Sequence, residues 1–166
     1  FPGGFGTQDE AFETLTLVQT GKTQLMPLVL IDKPGGTYWK TWEKHVSEHL
    51  LRNELISPED LGFWKITDDP DEAVKFVSRF YRNFHSYRFV RGELVIRLQH
   101  ALSETALEAL NEDFADIIEN EPIRAIDVTE DERGDDDWVD LPRIAFGFDR
   151  KSYARLHELI GVLNNY

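Results

Sequence analysis

The tract PLVLIDKPGG, residues 27–36, narrows the fold more than any other stretch of this 166-residue chain. PLVLID, residues 27–32, is almost wholly apolar, with no alternation of polar and apolar residues. Such a strand has to be covered on both faces, as in a parallel sheet flanked by helices. Its neighbours agree. Residues 7–20 carry Phe12, Leu15 and Val18 at helical spacing, and Gly21 is a natural stop. The turn PGG, residues 34–36, leads into a second helix from Tyr38 to about Leu55, with Trp39, Trp42, Val46 and Leu50 along one side. FWKIT, residues 63–67, reads as the next strand. Asp69 as N-cap, Pro70 at the first position and Glu72 at the third then start another helix. Helix, strand, helix, strand, helix with short links predicts a doubly wound α/β sheet.

The second half changes character. Tyr87–Leu98 has the pattern of a β-hairpin turning at Arg91–Gly92. Ser103 caps a helix bearing Leu107, Leu110, Phe114, Ile117 and Ile118. Residues 123–128 and 143–148 read as two strands joined by a flexible acidic loop, and Asp149 caps a last helix with Tyr153, Leu156, Ile160 and Leu163 buried. The order β, α, β, β, α is that of a small α+β plait. The expected division is residues 1–83 and 84–166.

Two readings of the opening FPGGFGTQDE stand side by side. In the first, Thr7 and Glu10 form a capping box, Asp9 and Glu10 sit at the positive end of the helix dipole, and the glycines only permit positive φ. In the second, Gly3, Gly4 and Gly6 remove Cβ atoms so that backbone N–H groups converge on an anion at the helix N-terminus. No Lys-Ser/Thr follows, so this is not a P-loop, and the third glycine of the dinucleotide fingerprint is missing. A carboxylate one turn into the helix would oppose phosphate and suits a ribose hydroxyl or a glycosidic carbon gaining positive charge.

Composition excludes several classes. The net charge of −13 argues against nucleic acid and anionic membranes as partners. There is no cysteine, hence no disulfide scaffold, thiol nucleophile or thiolate zinc site. No apolar run approaches the roughly 18 residues of a membrane span, so a cytoplasmic protein is expected. HVSEH, residues 45–49, fits the inverted zinc-protease spacing, but no third ligand is recognisable and a solvated helix face accounts for it. DVTEDERGDDDWVD, residues 127–140, lacks the alternating oxygens and glycine of an EF-hand loop. Phe80–Arg91 interleaves aromatics with arginines, which reads as half-buried aromatics at a domain hinge rather than a base-stacking surface. His85, His100 and His157 are scattered and read as structural.

PGGFGTQDE matches the PGGxGTxxE motif of the LONELY GUY (LOG) family, often labelled "possible lysine decarboxylase". AFETLTLVQTGK and PLVLIDKPGGTYW resemble the bacterial members that carry a C-terminal extension. The resemblance implies the C-terminal half of a Rossmann-like sheet over residues 1–83, an α+β extension over 84–166, and a homodimer or higher oligomer. It also implies hydrolysis of the N-glycosidic bond of nucleoside 5′-monophosphates, giving free base and ribose 5-phosphate. By this resemblance Gly3, Gly4, Gly6 and Thr7 hold the 5′-phosphate of an AMP-like ligand, and Glu10 contacts the ribose and supports the oxocarbenium-like transition state. No metal or cofactor is called for: lysine decarboxylation needs a Schiff-base lysine in a pyridoxal site, and no such context is visible. The family also carries an upstream half-sheet and an arginine motif. Their absence leads to the expectation of a C-terminal fragment that associates, or is partly disordered at its start, and is inactive by itself. A nucleotide-binding regulatory module without turnover is the alternative, and residues 84–166 could set oligomer state.

Overall fold

In the computed structural model, residues 1–135 and 138–166 are described. The chain divides into two units, Phe1–Arg79 and Phe80–Tyr166. It is a mixed α/β protein, with a parallel pair of strands in the first unit and a four-stranded antiparallel sheet in the second. Among the described residues no helix is long and apolar enough to cross a membrane.

In the first unit α1 spans Phe5–Gln19. It begins two residues before the predicted start, which overturns the capping box. Gly4 is the N-cap with no side-chain cap, Thr7 lies inside the first turn, and Asp9 and Glu10 fall beyond it. The stop is as read. Gly21 takes φ 66°, and the Lys22 and Gly21 amides donate to Leu17 O and Val18 O at 2.9 and 3.1 Å, which closes the helix as a Schellman motif. Strand β1 (Leu28–Ile31) pairs in parallel with β2 (Trp64–Thr67), Leu28 opposite Trp64 and Ile31 opposite Thr67. Of the doubly wound sheet expected, these two strands are what the described chain supplies.

Between the strands run α2 (Tyr38–His45), a wider π-helical turn at Val46–Leu51, and a 3₁₀ helix at Pro58–Phe63. The α-helix therefore ends well before Leu55. Trp42 is the centre of an aromatic cluster, with its ring 5.5 Å from Phe12, 5.8 Å from Trp39 and 5.3 Å from Trp64. Helix α3 covers Pro70–Phe80, opened by Asp69, whose Oδ1 accepts the Asp71 amide at 2.9 Å.

In the second unit β3 (Phe84–Val90) and β4 (Glu93–Leu98) form the predicted hairpin, with Arg91 and Gly92 at φ 49° and 99°. Two positive φ values in a two-residue loop are the signature of a type I′ turn. Helix α4 (Glu104–Asp113) is capped by Ser103, whose hydroxyl accepts the Ala106 amide at 3.2 Å. It stops at Asp113, and a 3₁₀ turn at Ala115–Ile117 carries on to Ile117. Strand β5 is Arg124–Ile126 and β6 is Arg143–Phe146, in the sheet order β3-β4-β6-β5. Helix α6 spans Tyr153–Leu163, with Ser152 as N-cap; Asp149 instead holds the turn before it, accepting from the Lys151 and Ser152 amides, both at 2.9 Å.

Two predictions for this unit are corrected. The acidic segment is not simply a loop: Glu130–Gly134 forms helix α5, with a capping box between Thr129 and Glu132. Asp136 and Asp137, which the reading of that segment included, lie outside the described residues. Of the aromatics of Phe80–Arg91, Phe80, Phe84 and Tyr87 are core rather than half-buried, while Phe89 is half-buried and Tyr81 exposed, and much of the stretch is β3.

Asn164 ties this core together. Its Oδ1 accepts the amides of Asn83 and Phe84, each at 2.8 Å, while Nδ2 donates to Phe80 O and Ile160 O. An Asn164→Ala change strands several buried backbone groups, each worth about 1–3 kcal/mol when unsatisfied. The expected loss is about 2–3 kcal/mol, read as a lowered urea midpoint with an unchanged m-value.

Candidate functional site

The site is built where α1 and α2 begin, at the carboxyl ends of β1 and β2, where open α/β sheets take their ligands. The turn before α1 is a string of uncommitted donors. The Thr7 and Gln8 amides donate to Gly4 O at 3.1 and 3.3 Å. The three amides ahead of them, of Gly4, Phe5 and Gly6, have no acceptor among the described residues.

The glycines of this turn fall into two kinds. At Gly3 an added Cβ would stand 2.1 Å from Thr7 Oγ1 and 3.0 Å from its Cβ, so any side chain there would displace Thr7 from the turn. At Gly4 and Gly6 an added Cβ would meet nothing within 4 Å, and neither residue has positive φ. Neither backbone geometry nor this chain's packing calls for glycine at these two positions. Glycine at both positions keeps side-chain atoms off the turn that carries the free amides. With the positive end of α1 behind them, those amides can bind an anion.

Glu10 is exposed, one helical turn beyond Gly6 on the same side of α1. Gln8 and Phe12 lie on the opposite side, towards Tyr38 and Trp42. The helical spacing thus puts Gly6 and Glu10 on one side of the helix, with Gly4 as the cap ahead of it, whereas Gly3 and Thr7 mainly shape the turn.

The second PGG turn supports the first. Asp32 follows β1 and is buried; Oδ1 accepts the Lys33 amide and Oδ2 the Tyr38 amide, both at 2.8 Å, which caps α2. Gly36 is needed because a Cβ there would stand 2.1 Å from Asp32 Oδ1. The Gly35 amide donates to Asp68 Oδ2 at 2.8 Å, which ties the turn to the end of β2. Beside it Glu72 is held below the usual carboxylate range, first by the Thr67 hydroxyl and then by Lys65. Pro2, Asp32, Lys33, Thr37 and Tyr38 line a cleft next to the glycine turn, and Lys33 brings a cation to its edge. Asp32, Tyr38 and Gln8 were not singled out from the sequence. The repetition of PGG at residues 2–4 and 34–36 was the available signal that two turns of one kind would meet.

The remaining candidates are placed elsewhere. His45 and His49 are exposed, with ring centroids 4.9 Å apart, on the helix that widens into the π-turn, and Glu48 pairs with Lys44 at 3.7 Å. Among the described residues no group of three histidines or carboxylates is placed to hold a metal ion. His85 Nδ1 lies 2.8 Å from Ser86 Oγ, and its ring packs 4.5 Å from that of Trp138. His157 is largely buried against Phe80, and that burial pushes its pKa down.

Residues 1–77 match the family described as "possible lysine decarboxylase". The match covers the helices and strands that form the glycine turns and ends inside α3. No curated protein matches the chain.

Proposed function

We propose that this chain carries the phosphate-binding turn and the glutamate of a LOG-type phosphoribohydrolase acting on nucleoside 5′-monophosphates. The observation that carries the reading is the row of free amides at Gly4, Phe5 and Gly6, kept clear by two glycines that the fold does not need, with Glu10 one turn further on. Four residues of helix rise about 6 Å, a span suited to a ribose with its 5′ carbon. The amides take the phosphate, and Glu10 addresses the sugar.

In the reaction the C1′–N bond breaks as positive charge grows on C1′ and the ring oxygen. Water adds its oxygen to C1′, the proton it gives up ends on the departing base nitrogen, directly or by way of solvent, and ribose 5-phosphate and free base result. The Glu10 carboxylate stabilises the oxocarbenium-like transition state and orients the water. Lysine decarboxylation, the reaction in the family's descriptive label, finds no support at this site: Lys33 is an exposed cation at a turn, without the buried pocket an imine-forming amine requires.

The test is incubation of the intact protein with AMP and other nucleoside monophosphates, following release of base and ribose 5-phosphate. Absence of turnover with every one of them rejects the reading. Gly6→Ala separates ligand binding from folding. Alanine inside a helix is favoured over glycine by about 0.5–1 kcal/mol, so the variant should be slightly more stable. Its methyl group occupies the space before the free amides, so AMP affinity measured by calorimetry should fall by about tenfold or more. Unchanged affinity in Gly6→Ala would show that the ligand does not use this turn.

A further inference from the structure

The hydroxyl of Tyr38 joins the two glycine turns. It donates to Gly3 O at 2.7 Å and accepts a hydrogen bond from Gln8 Nε2. Gly3 O belongs to the same peptide unit as the Gly4 amide, the first of the three free donors. That unit is planar and trans, so its C=O and N–H point in opposite directions. Drawing the carbonyl towards Tyr38 therefore turns the Gly4 N–H away from it, to the open side of the turn. The second contact acts on α1 itself, because Gln8 lies on the turn that carries the other free amides.

Tyr38 is itself fixed. Its amide is bound by Asp32 at 2.8 Å, and its ring packs edge-on to Trp39 at 4.9 Å, with Trp39 fully buried. Asp32 continues β1, and the turn between them is tied to Asp68 beyond β2. A run of specific contacts thus leads from the strand ends to the Gly3 carbonyl. Glycines have the largest backbone freedom of any residue, and a row of them orients its amides only when something outside the row holds it.

We infer that Tyr38 is a positioning residue that orients the Gly3–Gly4 peptide for binding the phosphate group of the substrate. It touches neither ribose nor base, so it sets phosphate affinity and leaves the bond-breaking step alone. The inference rests on the phosphoribohydrolase reading for its substrate, but its core is the anion affinity of the turn.

Tyr38→Phe removes the hydroxyl and keeps the ring against Trp39. With AMP as substrate of the intact protein, KM should rise about tenfold while kcat changes less than about twofold, the pattern of lost ground-state binding. Inorganic phosphate, titrated by calorimetry, should lose affinity by a similar factor, and the thermal midpoint should stay close to that of the parent. An unchanged KM and phosphate affinity overturns the inference, and so does a fall in kcat at constant KM. Phosphate binding that depends on Tyr38 in a protein that hydrolyses no nucleotide would sustain this inference and refute the enzymatic reading. A parent protein that binds no phosphate refutes both.

Discussion

Replacing Glu132 by alanine is expected to destabilise the second unit by about 3–5 kcal/mol, the usual consequence of removing one partner from a buried ionic network. Arg97 and Arg143 are Cα partners across β4 and β6, and both are nearly buried, at 4% exposure each. Like charges directly opposite one another in a sheet repel. Glu132, at 0% exposure, separates them: Oε1 accepts from Arg97 Nε at 2.9 Å, and Oε2 lies 3.4 Å from Arg143 Nε. The same Oε2 accepts from the Thr129 hydroxyl at 3.0 Å, so one side chain both starts α5 and neutralises the sheet. Around it Arg91 pairs with Glu130 and Asp131, and Arg88 with Asp135, but those pairs are exposed and contribute little.

Urea unfolding followed by circular dichroism reads the effect. Glu132→Gln keeps the shape and one acceptor oxygen but turns the other into an amide donor and loses the charge, so it should fall between the parent and Glu132→Ala. Replacing all three together, as Arg97→Met, Glu132→Leu and Arg143→Met, should recover most of the stability, because charges that are absent need no desolvation. A loss below about 1 kcal/mol in Glu132→Ala would mean that α5 opens readily and water replaces the carboxylate.

Glu10→Gln is expected to lower kcat for AMP hydrolysis by about 10²–10⁴, the range in which a single positioned acid–base group contributes. KM should change little, because in the proposed site the phosphate would be held by backbone amides that the substitution leaves in place. The exposed position of Glu10 predicts that folding stability is unaffected, since surface substitutions commonly stay within about 0.5 kcal/mol. Equal turnover by parent and variant removes Glu10 from the mechanism. A parallel fall in affinity and rate would instead place it in substrate binding.

Much of the fold was legible because its signals are local. The apolar run within residues 27–32 does form a strand, though within Leu28–Ile31 only Leu30 is buried, and the glycine at position 21 takes the left-handed backbone the helix end requires. Arg91–Gly92 announced a tight hairpin, and Ser103 a helix start. Local signals misled where a stronger one lay close by. Thr7 and Glu10 have capping-box spacing, yet α1 begins at Phe5 with Gly4 as its cap. The acidic residues 130–135 resemble a solvated loop in composition, and their arginine partners on β3, β4 and the hairpin turn are 35 or more residues away in sequence.

The same division holds at the candidate site. The sequence by itself determined the glycine turn, the strand and second turn that follow it, and the carboxylate one helical turn on. Each depends on backbone freedom or on side-chain spacing along a few residues. Only the tertiary structure decided which glycines the fold needs and which it leaves clear, since that depends on what stands opposite a missing Cβ. It alone showed that Tyr38 reaches Gly3, and that Glu132 parts two facing arginines. The Tyr38–Gly3 and Glu132–Arg97 contacts each span 35 residues, and chain spacing says nothing about which distant groups packing will bring within hydrogen-bond reach.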